Sequence, residues 1–337
     1  MKTFNLVNRL IVTGALIIAC AAVSLANVAD VRFTSGSSAL NIPFKIVNNH
    51  IYLEVSINNS KPLWFLLDTG AGNIINQRHA QALGLKLIPA GQTMGVGEGV
   101  ANVFFTDNLS YSLPGATVTR QKFAVLSFDG VEECLTKLDV DLQGRVTPRT
   151  QARDRAEVPI DGLLGSEFFR LFVVEIDYAT KMINLHDPDK YRYQGGGEKI
   201  PIEVTSRHIY TRMSISSSPS ALTGRFMIDS GSALSVLLNS PFVEQHKLLP
   251  PASQTTPFRV CGIGGDSQTQ IGKVSEVQLG NIKLENPVTV FSQAQNGVLA
   301  STHFSGQIGN AFLRRFKVVF DYSRKVMILE RANATTN

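Results

Sequence analysis

Trp64-Phe65-Leu66-Leu67-Asp68-Thr69-Gly70-Ala71-Gly72 decides how this chain is read, because it has a double at Arg225-Phe226-Met227-Ile228-Asp229-Ser230-Gly231-Ser232-Ala233. In each, an apolar run of strand type delivers one carboxylate, then a small hydroxyl residue and a glycine. An ionisable side chain at the end of a buried strand is costly unless chemistry needs it. A single Asp-Thr/Ser-Gly triplet reads as an ordinary turn. Two copies in matching surroundings point to paired carboxylates.

The surroundings match over most of the chain. Ile51-Tyr52-Leu53-Glu54-Val55 alternates as a strand, Asn58-Asn59-Ser60-Lys61-Pro62 turns, and the next strand runs into Asp68. In the second half Ile209-Tyr210-Thr211-Arg212-Met213, Ser217-Ser218-Pro219-Ser220 and the strand into Asp229 play the same parts. Short helical patterns follow at Gln77 to Leu83, closed by Gly84, and at Ser240 to His246. About thirty residues past each aspartate comes a glycine-rich stretch, Gly95-Val96-Gly97-Glu98-Gly99 and Gly262-Ile263-Gly264-Gly265. The first is no phosphate loop, since neither Lys-Ser/Thr nor a helix pattern follows.

Each half closes alike. Asp161-Gly162-Leu163-Leu164-Gly165-Ser166-Glu167-Phe168-Phe169 answers Ser305-Gly306-Gln307-Ile308-Gly309-Asn310-Ala311-Phe312-Leu313. Phe172-Val173-Val174-Glu175-Ile176-Asp177-Tyr178 likewise answers Phe316-Lys317-Val318-Val319-Phe320-Asp321-Tyr322. The phenylalanines of these segments read as core, and Trp64 as a strand-edge or cleft-rim residue. The expectation is a duplicated all-β lobe, with residues 30-190 as the N-terminal lobe and 191-337 as the C-terminal one. Asp187 to Glu198, with Pro188, Tyr191, Tyr193 and Gly195-Gly196-Gly197, reads as a hinge between them. Val131 to Val158, rich in charge and without a counterpart, reads as a solvated surface loop.

Composition narrows the classes. At 337 residues, 44% hydrophobic and 18% charged, the chain is globular and long enough for two cores. The net charge of +5 includes Lys2 and Arg9, and no Lys/Arg run carries interleaved aromatics, so nucleic acid is not an expected partner. Residues 1-29 read as a signal peptide or lipoprotein leader. Lys2 and Arg9 precede the apolar run Leu10 to Leu25, and Ser24-Leu25-Ala26 fits a small-x-small cleavage site. Ile17-Ile18-Ala19-Cys20 also resembles a bacterial lipobox, which would anchor the protein to a membrane through a lipidated Cys20. The expected location is therefore exported: periplasmic, outer-membrane-anchored or secreted. Cys134 and Cys261 then remain; an oxidising compartment permits a disulfide, but free thiols are the expectation. The six histidines are dispersed without metal spacing and read as surface or capping residues, and no metal or cofactor is expected.

With these residues quoted, the chain resembles the aspartic proteases of the pepsin and retropepsin clan over nearly its whole mature length. The resemblance rests on Asp68-Thr69-Gly70, Asp229-Ser230-Gly231, Leu163-Leu164-Gly165 and Gln307-Ile308-Gly309. Gly262-Ile263-Gly264-Gly265 is similar to a retroviral protease flap tip. Pepsin-type enzymes carry one flap tyrosine in the first lobe only, so the closer likeness is a retropepsin-like lobe used twice, as in some bacterial aspartyl proteases. The resemblance implies an all-β, bilobal acid-protease fold made of two β-barrel lobes. It implies an aspartic endopeptidase with Asp68 and Asp229 catalytic, a polypeptide substrate, no cofactor and a monomeric chain. Thr69, Gly70, Ser230, Gly231 and Ser232 would support the dyad. Gly95, Val96, Gly97, Gly262, Ile263, Gly264 and Gly265 would cover the substrate. Gln307, where the pattern has an apolar residue, and the long insertion depart from the family.

Two carboxylates a few ångströms apart in a shielded cleft cannot both ionise comfortably, so they hold one proton and titrate as a unit. Gly70 and Gly231 would leave room beside them. Ser232 follows the second triplet where Ala71 follows the first. A hydroxyl donating to Asp229 would favour its charged form, so the expectation is that Asp229 ionises first and Asp68 keeps the proton. The rival reading is a catalytically silent peptide-binding or envelope-associated protein on the same fold.

Overall fold

The computed structural model of the protein describes residues 29–135, 138–140, 146–148, 158–217 and 221–331. Residues 1–28, which hold Cys20 and nearly all of the expected leader, lie outside the described residues. No helix among the described residues is long and apolar enough to cross a membrane.

The sequence repeat is a repeat of topology. In the first half the strand His50–Ile57 turns through Asn58 and Asn59, both at positive φ, into Leu63–Leu67. Two central residues at positive φ match the twist of the flanking strands, and asparagine tolerates that backbone. Leu63–Leu67 then lies parallel to Gly162–Leu164, which runs antiparallel to Ile74–Asn76. In the second half Ile209–Ser216 pairs antiparallel with Ala221–Asp229, which lies parallel to Gly306–Gly309, itself antiparallel to Val236–Leu238. Among the described residues these are a nine-stranded and a ten-stranded sheet. In the first, Ala101–Leu113 pairs back onto Ala116–Leu126 and the sheet curls on itself. The protein is thus all-β and bilobal, with two duplicated barrel-like lobes.

A third sheet, not anticipated from the sequence, joins the halves. It has six strands, and at its centre Val173–Asp177 pairs antiparallel with Phe316–Asp321, Glu175 opposite Val319. These are the matched closing segments of the two repeats, so the repeat axis passes through this pair. The linker expected to act as a hinge is packed instead of free. Tyr191 and Tyr193 lie against Val173, Val319 and Ile328, and the Tyr193 hydroxyl donates to Glu330.

Strand alternation sorts the rest. Leu67, Leu164, Ile228 and Ile308 point into the main core, while Leu66, Leu163, Met227 and Gln307 point the other way, toward the groove between the lobes. The short helices at Gln77–Ala82 and Ser240–His246 stop where the backbone turns left-handed, at Gly84 in one lobe and Lys247 in the other. Phe168, Phe169, Phe312 and Leu313 are fully buried. Trp64 is half-buried, with Lys45 Nζ 4.1 Å over its ring.

The segment expected as a surface loop is partly structured. The helix Asp129–Leu135 runs into it, a two-stranded hairpin of Leu138–Val140 with Val146–Pro148 falls within it, and residues 136–137, 141–145 and 149–157 lie outside the described residues. Glu132 accepts both guanidinium nitrogens of Arg78, at 2.7 and 2.8 Å, and the Ile160 amide at 2.9 Å. The insertion is therefore fastened to the lobe at its root, and Phe128 and Val131 line the groove.

Candidate active site

Both aspartate-bearing strands end at the bottom of the inter-lobe groove. Asp68 lies one residue past its strand, its amide donating to the Leu164 carbonyl at 2.9 Å, while Asp229 is the last residue of its own. Each carboxylate is gripped by its own turn. The Gly70 amide donates to Asp68 Oδ1 at 2.7 Å, and the Gly231 amide to Asp229 Oδ1 at 3.0 Å.

The two turns interlock. Thr69 Oγ1 donates to the Ile228 carbonyl at 2.7 Å and Ser230 Oγ to the Leu67 carbonyl at 2.9 Å. Each hydroxyl also accepts the other residue's amide, at 2.9 and 3.0 Å. The glycines show how close the lobes come. A methyl group at Gly70 would sit 2.7 Å from the Asp229 carboxyl carbon, and one at Gly231 would sit 2.3 Å from that of Asp68. Only a residue without Cβ fits at either place.

The carboxyl groups of Asp68 and Asp229 hydrogen-bond each other. Burial pushes both pKa values up, and Asp229 rises well above the ordinary range because the negative charge of Asp68 adds to its burial. On Asp68 the Gly70 amide and the hydrogen bond from Asp229 act against burial. The larger rise falls on Asp229, where burial and the charge of Asp68 favour the protonated form, the reverse of the expectation drawn from Ser232. The reason is local. Among the described residues no hydrogen bond joins the Ser232 hydroxyl to the Asp229 carboxylate; Ser232 offers its backbone amide instead, and its Oγ lies beside Gly309.

Above the pair, the two glycine-rich stretches are the tips of two hairpins, Ile88–Thr93 with Ala101–Leu113 and Thr256–Gly262 with Gly265–Lys273. They meet over the groove. The Gly97 amide donates to the Ile263 carbonyl at 3.0 Å, the Gly99 amide to Gly264 at 2.9 Å, and Ser267 Oγ to the Val96 carbonyl at 2.6 Å. A Cβ at Gly97 would stand 2.3 Å from the Gly264 carbonyl carbon. Beneath this roof is a cavity of about 240 Å³ whose lining includes Asp68, Asp229, Gly95, Val96, Gly262 and Ile263. Cys261, next to the second tip, is disulfide-bonded, correcting the expectation of a free thiol. Cys134 lies on Asp129–Leu135, a helix that packs beside the Cys261 strand.

Sequence reasoning missed two histidines. His50 and His208 both line the cavity, and neither is a surface residue set apart from the site. His50 is buried, its pKa pushed down to about 4 by burial, and it hydrogen-bonds the backbone of Gly231. His208, also lowered by burial, does the same to Gly70. Each lobe thus touches the other lobe's catalytic-type glycine. The signal was in the repeat: His50-Ile51-Tyr52 and His208-Ile209-Tyr210 stand at matched positions, and each ring lies edge-on to its tyrosine, at 6.5 and 6.1 Å.

A bilobal β fold with two interlocked Asp-Thr/Ser-Gly turns beneath paired hairpins defines the class of two-carboxylate hydrolase folds. Accordingly, the family model described as aspartyl protease matches residues 53–168 and 219–310, and the chain belongs to that family. None of the curated proteins compared with it matches this sequence.

Proposed function

We propose that this protein is an exported aspartic endopeptidase that acts as a single chain on polypeptides, with Asp68 and Asp229 as its catalytic residues. The observation that carries the reading is the apposition of these two carboxyl groups, each against the other lobe's Gly70 or Gly231, at the floor of a roofed groove. Ionised Asp68 takes a proton from a water, while protonated Asp229 donates to the scissile carbonyl oxygen. The water oxygen bonds to the carbonyl carbon. As that intermediate collapses, the peptide nitrogen leaves with a proton relayed through the dyad, and no covalent enzyme intermediate forms. The hairpin tips exclude bulk water and hold the substrate backbone extended.

The test is cleavage of an unstructured protein, blocked by a statine-type mimic of the tetrahedral intermediate and abolished by Asp68→Asn or Asp229→Asn. Cleavage that survives both substitutions would overturn the reading. Comparing the membrane fraction of wild type with that of Cys20→Ser separates lipid anchoring from simple export.

A further inference from the structure

The two walls of the groove are built on one plan but end in different chemistry. In the first lobe Leu66, Leu163 and Ile74 stand side by side across three neighbouring strands, all apolar. The matched row in the second lobe is Met227, Gln307 and Leu237. Strand alternation puts Ile308 in the core, which obliges Gln307 to face the groove, where it lines the cavity. Gln307 is 2% exposed, and among the described residues its amide nitrogen Nε2 has no hydrogen-bond partner. A leucine, as in the other lobe, would fill this position without that desolvation penalty. An unpaired amide kept at a groove wall is what a site for a polar ligand group requires.

We propose, resting on the proteolytic reading above, that Gln307 is a specificity-determining residue that selects a substrate side-chain amide, glutamine or asparagine, on one side of the scissile bond. The first-lobe wall selects an apolar side chain on the other side. A primary amide in the substrate can meet both ends of the Gln307 side chain, donor to acceptor and acceptor to donor. A carboxylate cannot, and it would enter a groove where the dyad already holds a negative charge. The rest of the second-lobe wall, Met227, Leu237 and Val260, covers the stem of such a side chain.

The experiment profiles cleavage of a peptide library by wild type, Gln307→Leu and the reciprocal Leu163→Gln. Wild type should favour glutamine or asparagine over leucine at one of the two positions flanking the cut. Gln307→Leu should shift that ratio toward leucine at least about tenfold, because a buried polar group left unpaired discriminates strongly. Leu163→Gln should admit amides at the other position. Binding of non-hydrolysable statine-type peptides carrying glutamine or leucine there, measured by calorimetry, tests the same preference without turnover. If wild type cleaves nothing yet binds the glutamine peptide more tightly, the proteolytic reading falls and the assignment to Gln307 stands. An unchanged glutamine-to-leucine ratio in Gln307→Leu, in cleavage and in binding, overturns the assignment. So does a variant that changes only melting temperature.

Discussion

Thr69 and Ser230 answer each other across the repeat axis, each hydroxyl accepting the other's backbone amide and donating to a carbonyl of the opposite lobe. Both residues are fully buried, so water cannot replace these bonds. Thr69→Val keeps the shape and removes the hydroxyl, stranding the Ser230 amide. It should cost about 2–4 kcal/mol of stability in chemical denaturation, by the usual penalty for buried unpaired groups. Turnover should fall with it, since the same bonds set the spacing of the carboxylates. Thr69→Ser should behave nearly as wild type; equal loss in both would assign the effect to packing.

The buried carboxyl pair makes activity and stability pull apart. The folded pKa of Asp229 lies above its unfolded value, so its contribution to stability is full below the unfolded value, near pH 4, and is lost as pH rises through the folded one. At neutral pH the fold carries a charge it shelters poorly. Asp229→Asn should therefore abolish hydrolysis yet melt higher than wild type at pH 7, with the advantage shrinking toward pH 4. Melting curves across that range decide it, and a variant less stable at every pH would sink the argument.

His50 works with the opposite sign. Its folded pKa of about 4 is below the ordinary histidine value of 6.5, so its contribution is present above pH 6.5 and is lost as pH falls through 4. The full difference is roughly 3 kcal/mol. His50→Gln, which cannot take up a proton, should flatten the acid side of the wild-type stability curve by an amount of that order. An unchanged acid limb would mean that the ring is not held neutral in the fold.

The parts of this architecture that were legible in the sequence are those written twice in one register. Asp68-Thr69-Gly70 and Asp229-Ser230-Gly231, the glycine-rich tips and the closing Phe-Val-Val segments all announced themselves by repetition. The joining sheet escaped because the pairing of Val174 with Phe320 is an inter-lobe contact that no local pattern encodes. His50 and His208 carry no local signal of their own, because in each repeat the strand pattern rests on the residues that follow them, Ile51-Tyr52 and Ile209-Tyr210. Ser232 is no guide to the protonation of the pair, since a hydroxyl three residues on in sequence need not point at the carboxylate, and its Oγ lies beside Gly309 instead. The bonded state of Cys261 depends on a neighbour in space that its place in the sequence does not reveal.

The roof of the groove yields the remaining prediction. With the tips bonded as they are, the cavity beneath them holds about 240 Å³, below the roughly 300–1,000 Å³ that takes a whole small ligand. Gly97→Ala places a methyl group 2.3 Å from the Gly264 backbone and should prevent the tips from closing over a bound chain. Catalytic efficiency should fall about 10- to 100-fold, as misplacement near the reacting centre commonly costs, with melting temperature nearly unchanged because the contact lies outside the core. Gly196→Ala, at a glycine with open space around it and no left-handed backbone, is the control for an added methyl group. If Gly97→Ala cleaves as fast as wild type, productive binding does not require the tip-to-tip hydrogen bonds, and the hairpins act as walls and not as a closing roof.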